Sequence, residues 1–219
     1  MRNSEILPAG SICGHCERYI GSKLETHIAA WPPFALQLQF NGVPGKDDRP
    51  RRNVGSFTLT RTNAGRPQLS MQARVHRVSG VKRVVDWEVA PSAAFRLSNF
   101  RRAAHCVAFH SLMRSRGIPF ARSARFAPVR NYIRSANTGD TWPFAALERD
   151  DKTVPRIVGT HIRSDLPGLA IGIQVFRSIV VVDLGRHPDF EKAAKAAGLD
   201  VWAASATRVP PLAFRYVER

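Results

Sequence analysis

Residues 98–116 restrict the fold more than any other segment, because they carry the clearest helical period in the chain. Small and apolar residues recur along one face of this segment, at Phe100, Ala103, Ala104, Val107, Ser111 and Leu112. Ser98 or Asn99 is expected to cap the amino end by accepting a hydrogen bond from an early amide, and Gly117 followed by Pro119 is expected to end the helix. Since an amphipathic helix buries its apolar face, the sequence predicts a central helix packed on other elements.

Short runs with β-strand character precede this helix. They are separated by the turn signals at 63–65 and 79–80 and cover residues 57–62, 69–78 and 81–89. Alternation between tight turns is typical of hairpins. The runs therefore predict a small antiparallel meander, whose outward face would carry Arg74, Arg77, Lys82 and Arg83.

The chain after the helix is rich in β-branched residues, which favour strands. The runs concerned are residues 157–163, 169–176, 179–184 and 212–217. Between the last two, residues 188–198 predict a short helix with Gly198 as its stop. The predicted fold class is therefore α+β, with an antiparallel sheet and a packed central helix that follow an N-terminal helix and a half zinc-knuckle, for which Cys13 and Cys16 are the candidate ligands.

The amino-terminal region is expected to form a separate small part. The sequence ERYIGSKLETHIAA predicts a helix over 17–30, and Trp31-Pro32-Pro33 is expected to end it. Gly, Pro and charged residues crowd together over 41–55, as in a linker. We therefore predict a partial knuckle region over 1–45 and a basic α+β domain over 46–219.

Charge is distributed very unevenly along the 219 residues, whose net charge is +16. Residues 46–134 hold 19 basic and four acidic residues, and 17 of those basic residues are Arg. Arg presents a planar fork of donors that suits phosphate oxygens, so the segment predicts a polyanionic partner, nucleic acid. The candidate contacts are Arg51, Arg52, Arg101, Arg102, Arg130 and Arg134. The alternative is a generally basic, solvated surface without a partner.

Two of these candidates stand at the start of the predicted central helix. The helix dipole does not favour cations at an amino end. Arg101 and Arg102 are therefore expected to face solvent or a phosphate rather than to stabilise their own helix.

A membrane or an export route is not expected. The chain has no run of about 18 apolar residues, and its first ten residues lack the apolar stretch of a signal peptide. The basic residues are also spread over strand-like stretches rather than gathered on one amphipathic helix. Three cysteines do not make a disulfide framework, and the expected compartment is the cytoplasm.

Cys13-Gly14-His15-Cys16 is the only segment with metal-type spacing. Two thiolates on a tight turn supply half of a tetrahedral zinc site. His15, His27 and Cys106 are the nearest candidates by type for the missing ligands. The rival interpretation, a redox CxxC, requires a preceding strand and a helix that starts at the motif within a βαβ pattern, and the sequence does not predict that pattern.

The segment GSICGHCERYIGSKLETHIA resembles the second CxxC knuckle of bacterial and phage HNH endonuclease-like proteins. The matching positions are Cys13, Cys16, Tyr19, Gly21, Leu24 and Glu25. Downstream, FRRAAHCVAF at 100–109 and FAPVRNYIR at 126–134 resemble the helix and the basic segment that follow the knuckle in that family. The resemblance covers roughly residues 10–135. It implies zinc bound by two knuckles and metal-dependent phosphodiester hydrolysis with a His as general base.

The sequence also departs from the family pattern. The family has an upstream CxxC and a Glu-His pair before an Ile-Pro element, whereas Asn3-Ser4-Glu5-Ile6-Leu7-Pro8 contains no His, and Glu17 stands where the family has Asn. His105 and His110 are five residues apart on one helix and face different directions. No residue is therefore assigned a catalytic role, and a divalent metal is expected only if the protein is active.

Three explanations of this half-present site remain open. The start codon is misplaced, the protein is a shortened relic, or it has lost catalysis and kept binding. The sequence thus predicts a nucleic-acid-associated relative of HNH endonucleases that is inactive as written. The alternatives are a non-catalytic DNA- or RNA-binding module that uses the Arg-rich segment, and an α+β domain with a structural half-knuckle and no nucleic-acid role.

Overall fold

The computed structural model describes the chain in nine stretches: residues 12–40, 53–54, 57–61, 67–71, 84–89, 95–135, 142–148, 158–202 and 212–217. The chain divides into two compact units. The first unit consists of residues 1–28 and 96–207, and the second consists of 29–95 and 208–219. The predicted division into 1–45 and 46–219 does not match these units, because the amino-terminal helix contacts residues after position 96 through Tyr19 and Arg102.

The described helices are α1 Gly14–Lys23, α2 Glu25–Ala30, α3 Pro32–Phe40, α4 Leu97–Arg116, α5 Ile118–Arg122, α6 Ala127–Arg134 and α7 Phe190–Ala196. A 3-10 turn at Ala124–Phe126 joins α5 to α6. The described strands are β1 Asn53–Val54, β2 Phe57–Arg61, β3 Pro67–Met71, β4 Val84–Val89, β5 Phe144–Glu148, β6 Val158–Ile162, β7 Ala170–Val175, β8 Ser178–Asp183, β9 Asp200–Trp202 and β10 Leu212–Val217. None of the described helices is long and apolar enough to cross a bilayer.

The first unit is built on a five-stranded antiparallel sheet with the order β6-β7-β8-β5-β9. Successive side chains of a strand point to opposite faces. In β5, Phe144 meets Phe100 of α4 with ring centroids 5.4 Å apart, while the next residue, Ala145, packs in a core cluster with Phe190 and Ala194 of α7. Helices α4 and α7 therefore cover opposite faces of the sheet, and the α+β class is confirmed.

The two central strands of this sheet, β7 and β8, are buried on both faces. Every residue of β8, and all but Gln174 in β7, is buried. Strands buried on both faces have nearly continuous apolar sequences instead of alternating ones. The apolar runs that predicted these two strands, and the ones that predicted β6, α7 and β10, are confirmed. The short strands β5 and β9 were not predicted.

Helix α4 confirms the predicted central helix, with one correction at its amino end. It runs over Leu97–Arg116 and ends at Gly117, whose φ of +84° lies in the region that favours glycine. The expected cap by Ser98 or Asn99 is wrong, because the helix starts before both and Arg96 is its N-cap without a side-chain cap bond. Asn99 instead hydrogen-bonds the ring of His27.

The second unit contains two small antiparallel sheets. One has the order β1-β2-β3, and the other pairs β4 with β10. The predicted meander is therefore wrong in its third strand, because Val84–Val89 pairs with Leu212–Val217 from the carboxyl end of the chain. Arg74, Arg77, Lys82 and Arg83 lie outside the described residues.

Helix α3 of the second unit begins at the prolines that were predicted only to end the preceding helix. The preceding helix does stop at Ala30, but Pro32 and Pro33 open a new helix. Proline suits the first turn of a helix because its missing N–H has no intrahelical acceptor there. Trp31, just before α3, packs on Phe95 with ring centroids 6.1 Å apart.

Asp183, at the end of β8, holds two loops of the first unit together. Its side chain is buried, and its Oδ1 accepts hydrogen bonds of 2.9 Å from the amides of Leu169 and Gly185. Its Oδ2 accepts from the amide of His187. Gly168 must be glycine here, because its φ is +80° and an added Cβ would lie 2.8 Å from the Asp183 carboxylate.

Replacing Asp183 with Ala should lower the free energy of unfolding by about 3 kcal/mol or more, because buried amides are left without an acceptor. Urea unfolding followed by circular dichroism measures the change. The matched control is Asp165→Ala, since that exposed carboxylate pairs with Arg163 at the surface and solvent screening should limit its loss to less than about 1 kcal/mol. Equal losses in the two variants would contradict this role of Asp183.

His105 of α4 lies in the core and is surrounded by aromatic rings. Its ring centroid is 5.2 Å from that of Tyr132 and 5.3 Å from that of Trp142. Its Nδ1 lies 2.8 Å from the carbonyl oxygen of Arg101. Complete burial lowers the pKa of His105 to about 4, so the ring is neutral in the folded protein at neutral pH.

This lowered pKa makes stability depend on pH. Below about pH 6.5 the His105 ring of the unfolded chain gains a proton that the folded chain does not accept. Stability should therefore be lost as the pH falls from about 6.5 towards 4, by up to about 1.4 kcal/mol per pH unit from this group. Urea unfolding at several pH values should show a shallower slope for His105→Leu than for the unmodified protein, with His15→Gln as control. The same slope in His105→Leu would contradict the prediction.

Candidate functional site

The CxxC motif lies at the amino end of α1. Cys13 is the N-cap residue, and its Sγ accepts from the amide of Cys16 at 3.4 Å. The predicted helix over 17–30 is confirmed with an earlier start at Gly14 and a break at Leu24. A helix that starts at the motif is one of the two features that a redox CxxC requires. The segment before Ile12, where the other feature would lie, is outside the described residues.

The two thiols differ in acidity. Hydrogen bonds from Cys16, first from its amide and then from its thiol, lower the pKa of Cys13. The same contact between the side chains raises the pKa of Cys16, and burial raises it further. Cys13 is therefore the sulfur of the pair that carries negative charge more readily, and Cys16 acts as the donor.

Next to the motif lies a cavity of about 720 Å³ that is lined by residues of α1, α4, α5 and α6. Its walls are largely apolar and include Tyr19, Phe109 and Met113. The ligand-type and cationic side chains among its lining residues are Cys13, His15, Cys16, Cys106, His110, Arg122, Arg130 and Arg134. Four of the predicted site residues, Cys13, Cys16, Arg130 and Arg134, thus lie around one cavity.

A second Cys-containing pair lines this cavity from α4. The Sγ of Cys106 lies 3.5 Å from Nε2 of His110. Burial lowers the pKa of His110 to about 4, so its ring is neutral at neutral pH. His105 and His110 do face different directions, as predicted, but no role was predicted for His110. The signal that could have identified it is its spacing of four from Cys106, which places both on one helix face.

The other candidate zinc ligands are placed less favourably. Nδ1 of His27 accepts from the amide of Arg96 at 3.3 Å, and Nε2 lies 3.1 Å from the side-chain nitrogen of Asn99. Both ring nitrogens of His27 are thus occupied. His15 is exposed at the cavity. Within the described stretches, no three His, Cys, Asp or Glu side chains converge on one point as metal ligands. The Cys13–Cys16 pair fits zinc chemically, but as it stands it supplies two ligands.

Arg130 and Arg134 belong to α6. Arg130 is half-buried and donates to the carbonyl oxygens of Ala121 at 2.8 Å and Ser123 at 3.0 Å, so it fixes the connection between α5 and α6. Arg134 is exposed, and its charge acts on both Cys13 and Cys16. Arg51 and Arg52 lie outside the described residues.

Arg101 and Arg102 are buried, with exposed fractions of 3% and 4%, so the expectation that they face solvent is wrong. Arg102 donates to the carbonyl oxygens of Tyr132 at 3.0 Å and Ile133 at 2.7 Å. These carbonyls belong to the last turn of α6, where the helix dipole is negative and favours a cation. The guanidinium of Arg101 lies 5.8 Å from the ring centroid of Phe144. Partners from other elements thus offset the unfavourable interaction of these two cations with the amino end of their own helix.

No protein-family model, curated protein or solved structure matches this chain. The resemblance to HNH endonuclease-like proteins therefore rests on the sequence segments around the CxxC motif, α4 and α6. These three segments all contribute residues to the cavity.

The buried position of Arg102 gives a stability prediction. Arg102→Met should lower the free energy of unfolding by about 3 kcal/mol, because two α6 carbonyls and the Tyr19 hydroxyl lose a charged donor. Tyr19→Phe removes one of these contacts and should cost about 1 kcal/mol. Urea unfolding compares the two variants. A loss in Arg102→Met no larger than that in Tyr19→Phe would show that Arg102 does not anchor α6.

Proposed function

We propose that this protein binds nucleic acid through the arginines of α5 and α6, and that it is a non-catalytic relative of HNH-type endonucleases. One observation carries the proposal. Residues 89–139 contain nine arginines and neither Asp nor Glu. Since only Arg101 and Arg102 among them are buried, the other seven give the surface a positive charge that no acidic residue of this segment offsets.

Four of these seven lie within 13 residues of one another in the chain. We call Arg122, Arg125, Arg130 and Arg134 the α5–α6 cluster. Three of its members line the cavity, and Arg122, Arg125 and Arg134 are exposed. Arg forms paired hydrogen bonds with phosphate oxygens. A group of such side chains within one segment supports contact with the phosphates of a nucleic-acid backbone.

Aromatic residues beside the cluster support an unpaired strand as the bound form. Phe120 exposes 39% of its surface and packs against Phe126 at a ring-centroid distance of 5.5 Å. The guanidinium of Arg125 lies 4.9 Å from the Phe126 ring centroid. Phe120 is thus an exposed aromatic ring close to the α5–α6 cluster, and single-strand-binding proteins combine exposed aromatic rings with basic side chains to bind unstacked bases.

The α5–α6 cluster predicts how binding responds to salt. Arg125→Gln with Arg134→Gln should weaken binding to a labelled single strand and reduce the slope of log affinity against log salt by about 1.4, or about 0.7 for each phosphate contact. Fluorescence anisotropy over a range of salt concentrations measures both. A labelled duplex and an RNA strand, titrated in parallel, identify the preferred form.

The matched control removes two charges elsewhere in the same unit. Lys192 and Lys195 are exposed on α7, which covers the sheet face opposite α4. Lys192→Gln with Lys195→Gln should leave the salt slope within the error of the unmodified protein. Absence of binding at low salt, or equal slopes in the two double variants, would rule out the α5–α6 cluster as the interface.

The resemblance also motivates a test for hydrolysis. Plasmid DNA incubated with the protein and Mg²⁺, Mn²⁺ or Zn²⁺ should show no nicking above a protein-free blank, because no residue could be assigned as the general base. Metal-dependent nicking that co-purifies with the protein would establish the HNH-type hydrolase instead. It would leave the proposed binding surface to be judged by the salt titration.

A further inference from the structure

We infer that Cys106 and His110 of α4 complete a four-ligand zinc site with Cys13 and Cys16 of α1. All four side chains line the same cavity. The inference is independent of nucleic-acid binding, because it concerns the ligands of one metal ion. In this inference the two missing ligands come from the central helix rather than from an upstream CxxC knuckle.

The α4 pair already has the spacing of two ligands on one zinc ion. Tetrahedral zinc holds sulfur at about 2.3 Å and imidazole nitrogen at about 2.0–2.1 Å, so the two ligand atoms lie about 3.6 Å apart. Sγ of Cys106 and Nε2 of His110 are 3.5 Å apart. A single helix fixes this separation, because residues four apart lie on one face.

The α1 pair is also arranged as two adjacent ligands. The amide of Cys16 donates to Sγ of Cys13 at 3.4 Å, and the two residues are the N-cap and a first-turn residue of the same helix. Together the pairs have the form C-x2-C followed by C-x3-H. Three thiolates and one imidazole form one of the ligand sets of structural zinc sites, in which two short-spaced pairs come from different segments.

Zinc binding must bring the two pairs together, because no three of these ligands converge in the described residues. The cavity of about 720 Å³ between them provides the space for that movement. Metal binding and folding are coupled in structural zinc sites. A bound ion would therefore draw the start of α1 towards the middle of α4 and raise the stability of the first unit. Each coordinating thiol loses its proton to solvent on binding.

The test uses Co²⁺, which occupies tetrahedral zinc sites and absorbs light according to its ligands. The full chain is reduced, freed of metal with a chelator and titrated with Co²⁺. We expect a tetrahedral d–d pattern and a sulfur-to-cobalt charge-transfer band with the intensity of three thiolates. Cys106→Ala should lose about one third of that band, since one of three thiolates is removed. His110→Gln should keep the band but bind at least about tenfold more weakly.

The control is His15→Gln, which changes an imidazole at the same cavity that is not among the four ligands. It should reproduce the spectrum and affinity of the unmodified protein. A two-thiolate spectrum that neither Cys106→Ala nor His110→Gln alters would overturn the inference, as would the absence of any tetrahedral spectrum.

Because Cys106 is buried, its substitution can also disturb folding, so a measurement on the unmodified protein is included. X-ray absorption of the zinc-loaded protein should show three sulfur neighbours and one nitrogen neighbour. Two sulfur neighbours would contradict the site whatever the variants do. Neither result depends on nucleic acid, so failure here and failure of the proposed binding surface are separate outcomes.

Discussion

The arrangement of the helices in the first unit depends on the contacts of the Arg102 side chain. Its guanidinium extends from α4, donates to carbonyl oxygens in the last turn of α6 and lies against Tyr19 of α1, whose ring centroid is 5.5 Å away. A buried charge is costly unless hydrogen bonds surround it, and here the carboxyl end of a helix supplies them. The same contact fixes α1 and α6 relative to α4, and these helices line the cavity.

The sequence pattern was sufficient to predict the helices and strands whose formation depends on residues close together in the chain. The helical period and Gly117 fixed the extent of α4 to within one residue, and continuous β-branched runs identified β7 and β8. The pairing of β4 with β10 could not be predicted in this way, because it joins segments more than 100 residues apart and either strand alone is compatible with a hairpin. The role of Pro32 as a helix start was missed because proline both ends one helix and begins another.

Sequence pattern was also insufficient to predict the environments of the arginines at the candidate site. Sequence treats Arg101, Arg102, Arg130 and Arg134 alike, but the structure gives them three different environments. The first two are buried, Arg130 bonds to the chain between α5 and α6, and Arg134 is exposed beside the thiols. Their environments differ because of where the carbonyl groups of other elements lie. Neither the helical period nor the composition of the sequence predicts those positions. An Arg-rich segment therefore contains structural cations as well as cations available to a partner.

The sequence predicted only two of the four ligands of a zinc site, and the structure holds the candidate ligands as two separate pairs. A pair of cysteines at the start of one helix and a Cys–His pair on another each bring two zinc-type ligands together, while no three ligands converge in the described residues. Arg134 acts electrostatically on the thiols of α1 and also belongs to the α5–α6 cluster. A Zn²⁺ ion held by three thiolates and one neutral imidazole has a formal charge of −1, so Arg134 would still lie beside a negative centre after the two pairs had closed around the metal.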